Sequence, residues 1–191
     1  MYSMKNAIIV HGKPTKEIYY SDAYPSSSNF AWIPWLQKQL MIRDIKTDTP
    51  EMPLAYEPDY TVWKTELERF DIHQDTVLIG HSAGGGFMVR WLSENKDVSV
   101  GKLVLVAPSL DPDKKSKTGF CDFGIDSELF ARVGHISIFI SNDAEHIKKS
   151  VEMLQEAIPQ IQIINLEGLG HFIPAHMGRV EFPELLAEIL R

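Results

Sequence analysis

The chain has 191 residues, 44% of them hydrophobic, which predicts one domain, residues 1–191, with a full apolar core. The formal net charge of −7 argues against nucleic acid as a partner, and no apolar run is long enough to cross a membrane. Cys121 is the single cysteine, so an internal disulfide is excluded, and we expect a cytoplasmic protein whose oligomeric state stays open.

Short apolar runs typical of strands alternate with amphipathic segments typical of helices. Near-continuous apolar runs such as Ala7–Val10 indicate a parallel sheet that is covered on both faces. In chain order, the predicted elements are strand 7–10, helix 32–40, strand 45–47, helix 60–70, strand 76–79, helix 87–92, strand 102–107, strand 135–140, helix 147–158, strand 161–166 and helix 182–190. This order predicts an α/β fold, a three-layer sandwich in which a mostly parallel sheet of about six strands carries helices on both faces.

A G-x-S-x-G pentapeptide, Gly80-His81-Ser82-Ala83-Gly84, lies between the strand at 76–79 and the helix that follows. A serine at such a strand-to-helix turn is held in a strained conformation with its hydroxyl exposed at the carboxyl end of the sheet. The N-terminus of the following helix offers free N–H groups to an oxyanion that forms there. The pattern therefore predicts a nucleophile at Ser82. The alternative is a glycine-rich turn that merely joins strand and helix.

Two further residues should lie at the same edge of the sheet as Ser82. Asp143 follows the strand at 135–140 and His171 follows the strand at 161–166, and the carboxyl ends of parallel strands share one edge. A neutral imidazole can take the serine proton, and a carboxylate can hold the imidazole in the required tautomer. We therefore predict Ser82 as nucleophile, His171 as base and Asp143 as acid, in the chain order of α/β-hydrolase triads.

Other residues remain alternatives for these roles. His176 is the second candidate for the base, and Asp111 and Glu145 also follow strands and are alternative acids, although the start of a helix already explains Glu145. Cys121 would be a nucleophile only with a base beside it. His171 and His176 lack the ligand spacing of a metal site, so we expect neither a metal nor a cofactor.

Two backbone N–H groups should form an oxyanion hole. Ala83 directly follows the nucleophile and should supply one of them. Gly12 and Lys13, after the first strand, are the candidates for the second, because Pro14 has no N–H. An ordinary turn at Gly12 and Lys13 is the alternative interpretation.

Two long connections should also emerge at this edge. Lys13–Phe30 is rich in Ser, Tyr and Pro, and Pro108–Gly134 is irregular and polar apart from a short helical piece near 127–133. Long loops in compact domains often serve function, and both could cover the site as lids. We expect three aromatic side chains in them to wall an apolar acyl pocket, namely Tyr19, Tyr20 and Phe120.

Three segments carry a resemblance to a known family: Trp32-Ile33-Pro34-Trp35-Leu36, Ile79-Gly80-His81-Ser82 and Gly170-His171-Phe172. Over nearly its whole length the chain resembles the small serine hydrolases of the α/β-hydrolase superfamily that retinoblastoma-binding protein 9 and its bacterial relatives typify. The resemblance implies Ser82 as nucleophile and His171 as base. The Leu-x-Cys-x-Glu motif with which that family's namesake binds its partner does not occur, so no such partner is implied.

The predicted function is hydrolysis of a small carboxylic ester, or of an amide, through an acyl-enzyme that water resolves. The expected partner is a small-molecule substrate. Two other functions remain open: a non-catalytic binding protein on the same fold, and acyl transfer to an acceptor other than water.

Overall fold

A six-stranded sheet lies at the centre of the computed structural model, which describes residues 5–191. The strands are β1 (Asn6–Val10), β2 (Lys46–Asp48), β3 (Val77–His81), β4 (Lys102–Val106), β5 (Ile136–Ile140) and β6 (Gln162–Asn165). Their order across the sheet is β2-β1-β3-β4-β5-β6, and every neighbouring pair is parallel. The predicted α/β fold is therefore confirmed, and every strand end lies within two residues of its predicted position.

Helices fill most of the connections between the strands. They are α1 (Lys16–Tyr19), α2 (Ile33–Met41), α3 (Tyr60–Leu67), α4 (Ala83–Glu94), α5 (Glu145–Ala157), α6 (Pro174–Met177) and α7 (Pro183–Leu190), with 3-10 turns at Ser27–Asn29 and Leu129–Arg132. Two of them, α1 and α6, were not predicted, because neither contains a buried residue that would give an apolar period. Within residues 5–191, no helix is long and apolar enough to cross a membrane.

The two faces of the sheet are covered by separate hydrophobic clusters. Alternate residues along a strand point to opposite faces, so Ile8 of β1 packs with side chains of α3 and α4, while its neighbour Ile9 packs with side chains of α2 and α7. Both isoleucines have no exposed surface. Burial on both faces explains why the strands read as continuous apolar runs, as parallel sheets require.

The turn from β3 into α4 is packed so closely that two of its helical positions need glycine. A Cβ on Gly84 would lie 2.4 Å from the carbonyl oxygen of Val10, and one on Gly86 would lie 2.1 Å from that of Ser109. These approaches press the first turn of α4 against the chain leaving β1 and the chain leaving β4. Ser82 is thereby held at the carboxyl edge of the sheet, between two neighbouring strand ends.

Candidate active site

Ser82 has the strained backbone expected of a nucleophile at such a turn. Its φ of 52° and ψ of −118° lie in a region that residues with a side chain rarely adopt. Hydrogen bonds hold it there, because its N–H donates to the Val106 carbonyl at 2.9 Å and its own carbonyl accepts from Gly85 and Ser109, at 3.0 and 2.9 Å. The surrounding fold thus stabilises a conformation that exposes the side chain.

His171 and Asp143 form a close pair. The imidazole Nδ1 of His171 lies 2.5 Å from Oδ2 of Asp143, and the side chains are 24% and 9% exposed. Burial alone would raise the pKa of Asp143, but hydrogen bonds from the His171 ring and from the Ala144 N–H outweigh it and the net pKa is lowered. The carboxylate therefore stays ionised and accepts from Nδ1, which leaves Nε2 of His171 free to act as a base.

The loop that carries His171 is fastened to the end of β5 by three consecutive side chains, those of Ser141–Asp143. The first two accept hydrogen bonds from the N–H groups of Leu169 and Gly170, at 2.9 and 3.1 Å, and the third accepts from the ring of His171. We call this set of three hydrogen bonds the clasp. It fixes both the position of the loop and the orientation of the imidazole, which a single contact could not do.

Two more imidazoles hold the backbone of His171. Nε2 of His81 donates to the His171 carbonyl at 2.9 Å, and Nδ1 of His176 accepts from the His171 N–H at 2.9 Å. Burial, reinforced by the nearby His171, lowers the pKa of His81 to about 3, so this ring stays neutral. His176, the second candidate for the base, thus supports the loop that carries the first.

The other candidates lie away from this arrangement. The carboxylate of Asp111 accepts from the N–H groups of Lys115 and Ser116 and closes its own loop. Glu145 is exposed at the start of α5. Burial raises the pKa of the Cys121 thiol to about 12, which makes it a poor nucleophile. Across residues 5–191, no three His, Cys, Asp or Glu side chains are grouped so that they could hold a metal ion.

Ser82 and His171 border the same cavity, whose volume is about 260 Å³. Among residues 5–191, Lys13 is the only Lys or Arg in its lining, and no Asp or Glu borders it. The apolar part of the lining consists of Pro14, Ile18, Tyr24, Pro25, Phe30, Ala31, Ile33 and Ile173. These walls come from the long connection after β1, the start of α2 and the residue that precedes α6. The cavity is thus suited to an uncharged, apolar group beside the serine.

The three aromatic residues predicted to wall this pocket lie elsewhere, so that prediction is wrong. Phe120 is 3% exposed and its ring centroid lies 4.9 Å from that of Trp63, in the core under α3 and α4. Tyr19 and Tyr20 pack against Tyr56, at 4.9 and 5.5 Å between ring centroids, and do not border the cavity. Of the two long connections, only the one after β1 contributes to the lining.

All three predicted oxyanion donors lie next to Ser82. A Cβ added to Gly12 would be 3.0 Å from Cβ of Ser82, and both Gly12 and Lys13 border the cavity. Ala83 begins α4, where backbone N–H groups have no partner within the helix. Among residues 5–191, no acceptor bonds the N–H of Gly12, Lys13 or Ala83. The neighbourhood of the serine therefore holds free N–H groups on two different segments.

Sequence reasoning did not find the residues that hold the backbone of the His171 loop, namely Ser141, Asn142, His81 and His176. Serine and asparagine directly after a buried strand were the available signal, because side chains there reach the carboxyl edge of the sheet. The pairing of Ser141 and Asn142 with backbone N–H groups of the loop after β6 has no signal in a single sequence.

This arrangement, with a serine at the turn after the third strand and a paired acid and histidine after the last two strands, is that of the α/β-hydrolase fold. Several solved structures share the fold of this chain.

The ydeN gene product from B. subtilis is 21% identical to this chain, with a TM-score of 0.80 and 97% of each chain covered. Est1E from Butyrivibrio proteoclasticus is 13% identical, with a TM-score of 0.61, covering 99% of this chain and 86% of that one. A pyrethroid hydrolase from Sphingobium faniae JZ-2 is 12% identical, with a TM-score of 0.59, covering 98% and 96%.

The family model described as serine hydrolase matches residues 20–189, and the chain belongs to that family. It is therefore an enzyme of the serine hydrolase type. No curated protein sequence matches the chain. The resemblance to retinoblastoma-binding protein 9 in particular stays a resemblance.

Proposed function

We propose that the enzyme hydrolyses small carboxylic esters with an uncharged, apolar acyl group, through an acyl-enzyme on Ser82. One observation carries this proposal: the strained Ser82 and His171, whose ring is paired with Asp143, border one cavity with apolar walls. The family supports hydrolysis over a purely binding function. Amides, with a poorer leaving group, are the secondary candidates.

In the first half of the reaction, Nε2 of His171 takes the proton of the Ser82 hydroxyl as its oxygen attacks the ester carbonyl. The carboxylate of Asp143 stabilises the imidazolium and keeps the remaining proton on Nδ1. The tetrahedral intermediate then collapses, the alcohol leaves with the proton from Nε2, and the acyl group remains on Ser82. In the second half, His171 activates water in the same way, and the acid is released.

The negative charge on the carbonyl oxygen needs donors in both halves. The N–H of Ala83 is one, at the positive end of the α4 helix dipole. The second comes from the chain after β1, where Gly12 and Lys13 offer N–H groups that no acceptor in residues 5–191 occupies.

Labelling with a fluorophosphonate tests the nucleophile. We expect one covalent adduct, located on Ser82 by peptide mapping, and no adduct on Ser82→Ala, with Ser127→Ala as an exposed control that still labels. Persistent labelling of a folded Ser82→Ala variant would rule out the assignment. Product analysis with added alcohols or thiols then shows whether water or another nucleophile accepts the acyl group.

The acyl pocket is tested by the chain length of the ester that the enzyme prefers. Ile173 borders the cavity, so Ile173→Trp should shift the preference to shorter acyl groups and Ile173→Ala to longer ones. Tyr20→Ala is the matched control, because this 62% exposed side chain does not border the cavity and should leave the preference unchanged. An unchanged preference in both Ile173 variants would place the acyl group elsewhere.

A further inference from the structure

His11 lies directly before the predicted oxyanion segment and is buried, with 1% of its surface exposed. Both ring nitrogens have backbone partners. Nδ1 lies 2.8 Å from the Gly12 carbonyl oxygen, and Nε2 lies 2.9 Å from the backbone nitrogen of Met52. An N–H can only donate, so Nε2 must be the acceptor. The proton is therefore on Nδ1, which donates to the carbonyl of Gly12.

This hydrogen bond determines the direction of the next N–H. The peptide between Gly12 and Lys13 is trans, as are all those in residues 5–191, so its C=O and N–H point in opposite directions. The carbonyl is held towards the buried ring of His11, and the N–H of Lys13 therefore points away from that ring. Lys13 borders the cavity beside Ser82, and its N–H has no acceptor among the described residues.

We propose that His11 is a positioning residue for the reaction: its Nδ1–H holds the Gly12 carbonyl so that the N–H of Lys13 faces the oxyanion. This inference rests on the proposed function, because it concerns the charge that forms when Ser82 attacks a carbonyl. It assigns the second oxyanion donor to the N–H of Lys13. The imidazole of His11 then acts by positioning this N–H and does not contact the substrate.

The surroundings of His11 favour the neutral ring that this role needs. Burial lowers the pKa of His11, against smaller opposing effects of the Gly12 carbonyl and of Glu51, whose carboxylate oxygen lies 3.7 Å from Nε2. The same carboxylate accepts from the N–H groups of Ser27 and Ser28, at 3.3 and 2.7 Å, in the loop that walls the acyl pocket. The Glu51–Met52 segment thus anchors the oxyanion peptide and the pocket wall together.

The rival explanation is that His11 only anchors the chain near Met52. Two substitutions separate these roles. The amide nitrogen of His11→Asn can reach the place of Nδ1 and keep the bond to the Gly12 carbonyl. The amide oxygen of His11→Gln can reach the place of Nε2 and keep only the bond from Met52. Each variant therefore preserves one of the two hydrogen bonds of the imidazole.

We expect His11→Gln to lose about 10-fold or more in kcat with KM little changed, since losing a whole oxyanion donor costs about 10²–10³ in kcat. His11→Asn should keep kcat within about threefold of the natural enzyme, because it keeps the Gly12 contact. The inhibition constant of a trifluoromethyl ketone, whose serine adduct carries an oxyanion, should rise in His11→Gln in parallel with the loss in kcat. Equal losses in both variants, or a greater loss in His11→Asn, would overturn the proposal.

A measurement on the natural protein keeps the proposal testable should either variant fail to fold. Nitrogen-15 NMR of the imidazoles should show a protonated Nδ1 and an unprotonated Nε2 for His11 near pH 7, and the opposite tautomer would refute the assigned hydrogen bond. Failure of the proposed function can be told apart from failure of the proposed role of His11. It would appear as absence of ester turnover and of fluorophosphonate labelling in the natural enzyme, whichever tautomer His11 adopts.

Discussion

Acid should destabilise the folded chain through His81. This side chain is 7% exposed, and burial is the main cause that lowers its pKa from the ordinary 6.5 to about 3. Between these two values the unfolded chain binds a proton that the folded chain does not. Stability therefore rises with pH in this window, is fully present above 6.5, and is lost progressively as the pH falls towards 3.

The size of the effect follows from the same numbers. At pH 5 the pH lies about 1.5 units below the pKa of 6.5 that the histidine has in the unfolded chain. This difference corresponds to about 2 kcal/mol of lost stability. Urea unfolding followed by tryptophan fluorescence at pH 7 and pH 5 measures it. We compare the natural protein with His81→Gln, whose amide can still donate to the His171 carbonyl but cannot be protonated. The loss of unfolding free energy between the two pH values should be smaller in this variant by about 2 kcal/mol.

A matched control separates burial from the mere presence of a histidine. His146 is exposed on α5, so His146→Gln is the variant with which the pH dependence of His81→Gln is compared. The pKa of buried His11 is also lowered, but His11 is present in every variant and its contribution cancels. If His81→Gln loses as much stability between pH 7 and pH 5 as the natural protein does, burial does not hold His81 neutral and the reasoning fails.

Three further predictions follow from the packing and chemistry of the site. Asp143→Asn should lower kcat by a factor on the order of 10⁴ in steady-state assays, because an amide cannot hold the imidazole tautomer or stabilise its charge, and Asp111→Asn should retain most of the activity. Gly86→Ala should lower the free energy of unfolding by about 3 kcal/mol or more, since its Cβ would lie 2.1 Å from the Ser109 oxygen, whereas Gly124→Ala, with no heavy atom within 4 Å, should change it little. Native Cys121, whose pKa is raised to about 12, should react with iodoacetamide at pH 8 at least about tenfold more slowly than the same thiol in urea.

The sheet could be predicted because the apolar sequences of its strands are compatible with few other structures. Val104 and Ile138 have no exposed surface, and short apolar runs between helical segments have no other favourable place than a sheet covered on both faces. The order of the elements then placed Ser82, Asp143 and His171 at one edge without any knowledge of contacts. The position of a residue after a parallel strand thus carries long-range information even in a single sequence.

The walls of the cavity could not be predicted in the same way. A loop that leaves the carboxyl edge can turn towards either face of the sheet, and the sequence does not show which. Phe120 packs in the core, and the guanidinium of Arg90, on α4, holds the backbone there by donating to the carbonyls of Gly119 and Phe120, at 2.7 and 2.9 Å. Such a contact joins residues about thirty positions apart and has no local periodicity. The same holds for the partners of His11 and His81, which only the folded chain reveals.

The clasp ties the position and orientation of His171 to one alignment of the edge strand β6. All three of its hydrogen bonds join residues 28 positions apart, so they share one register. If β6 paired with β5 one residue out of step, all three bonds would be lost together and the imidazole would lose its carboxylate partner. A sample in which some molecules were misaligned would then contain molecules that react with a fluorophosphonate and molecules that do not. The fraction of chains that a fluorophosphonate titrates would report how faithfully the last strand of the sheet has folded.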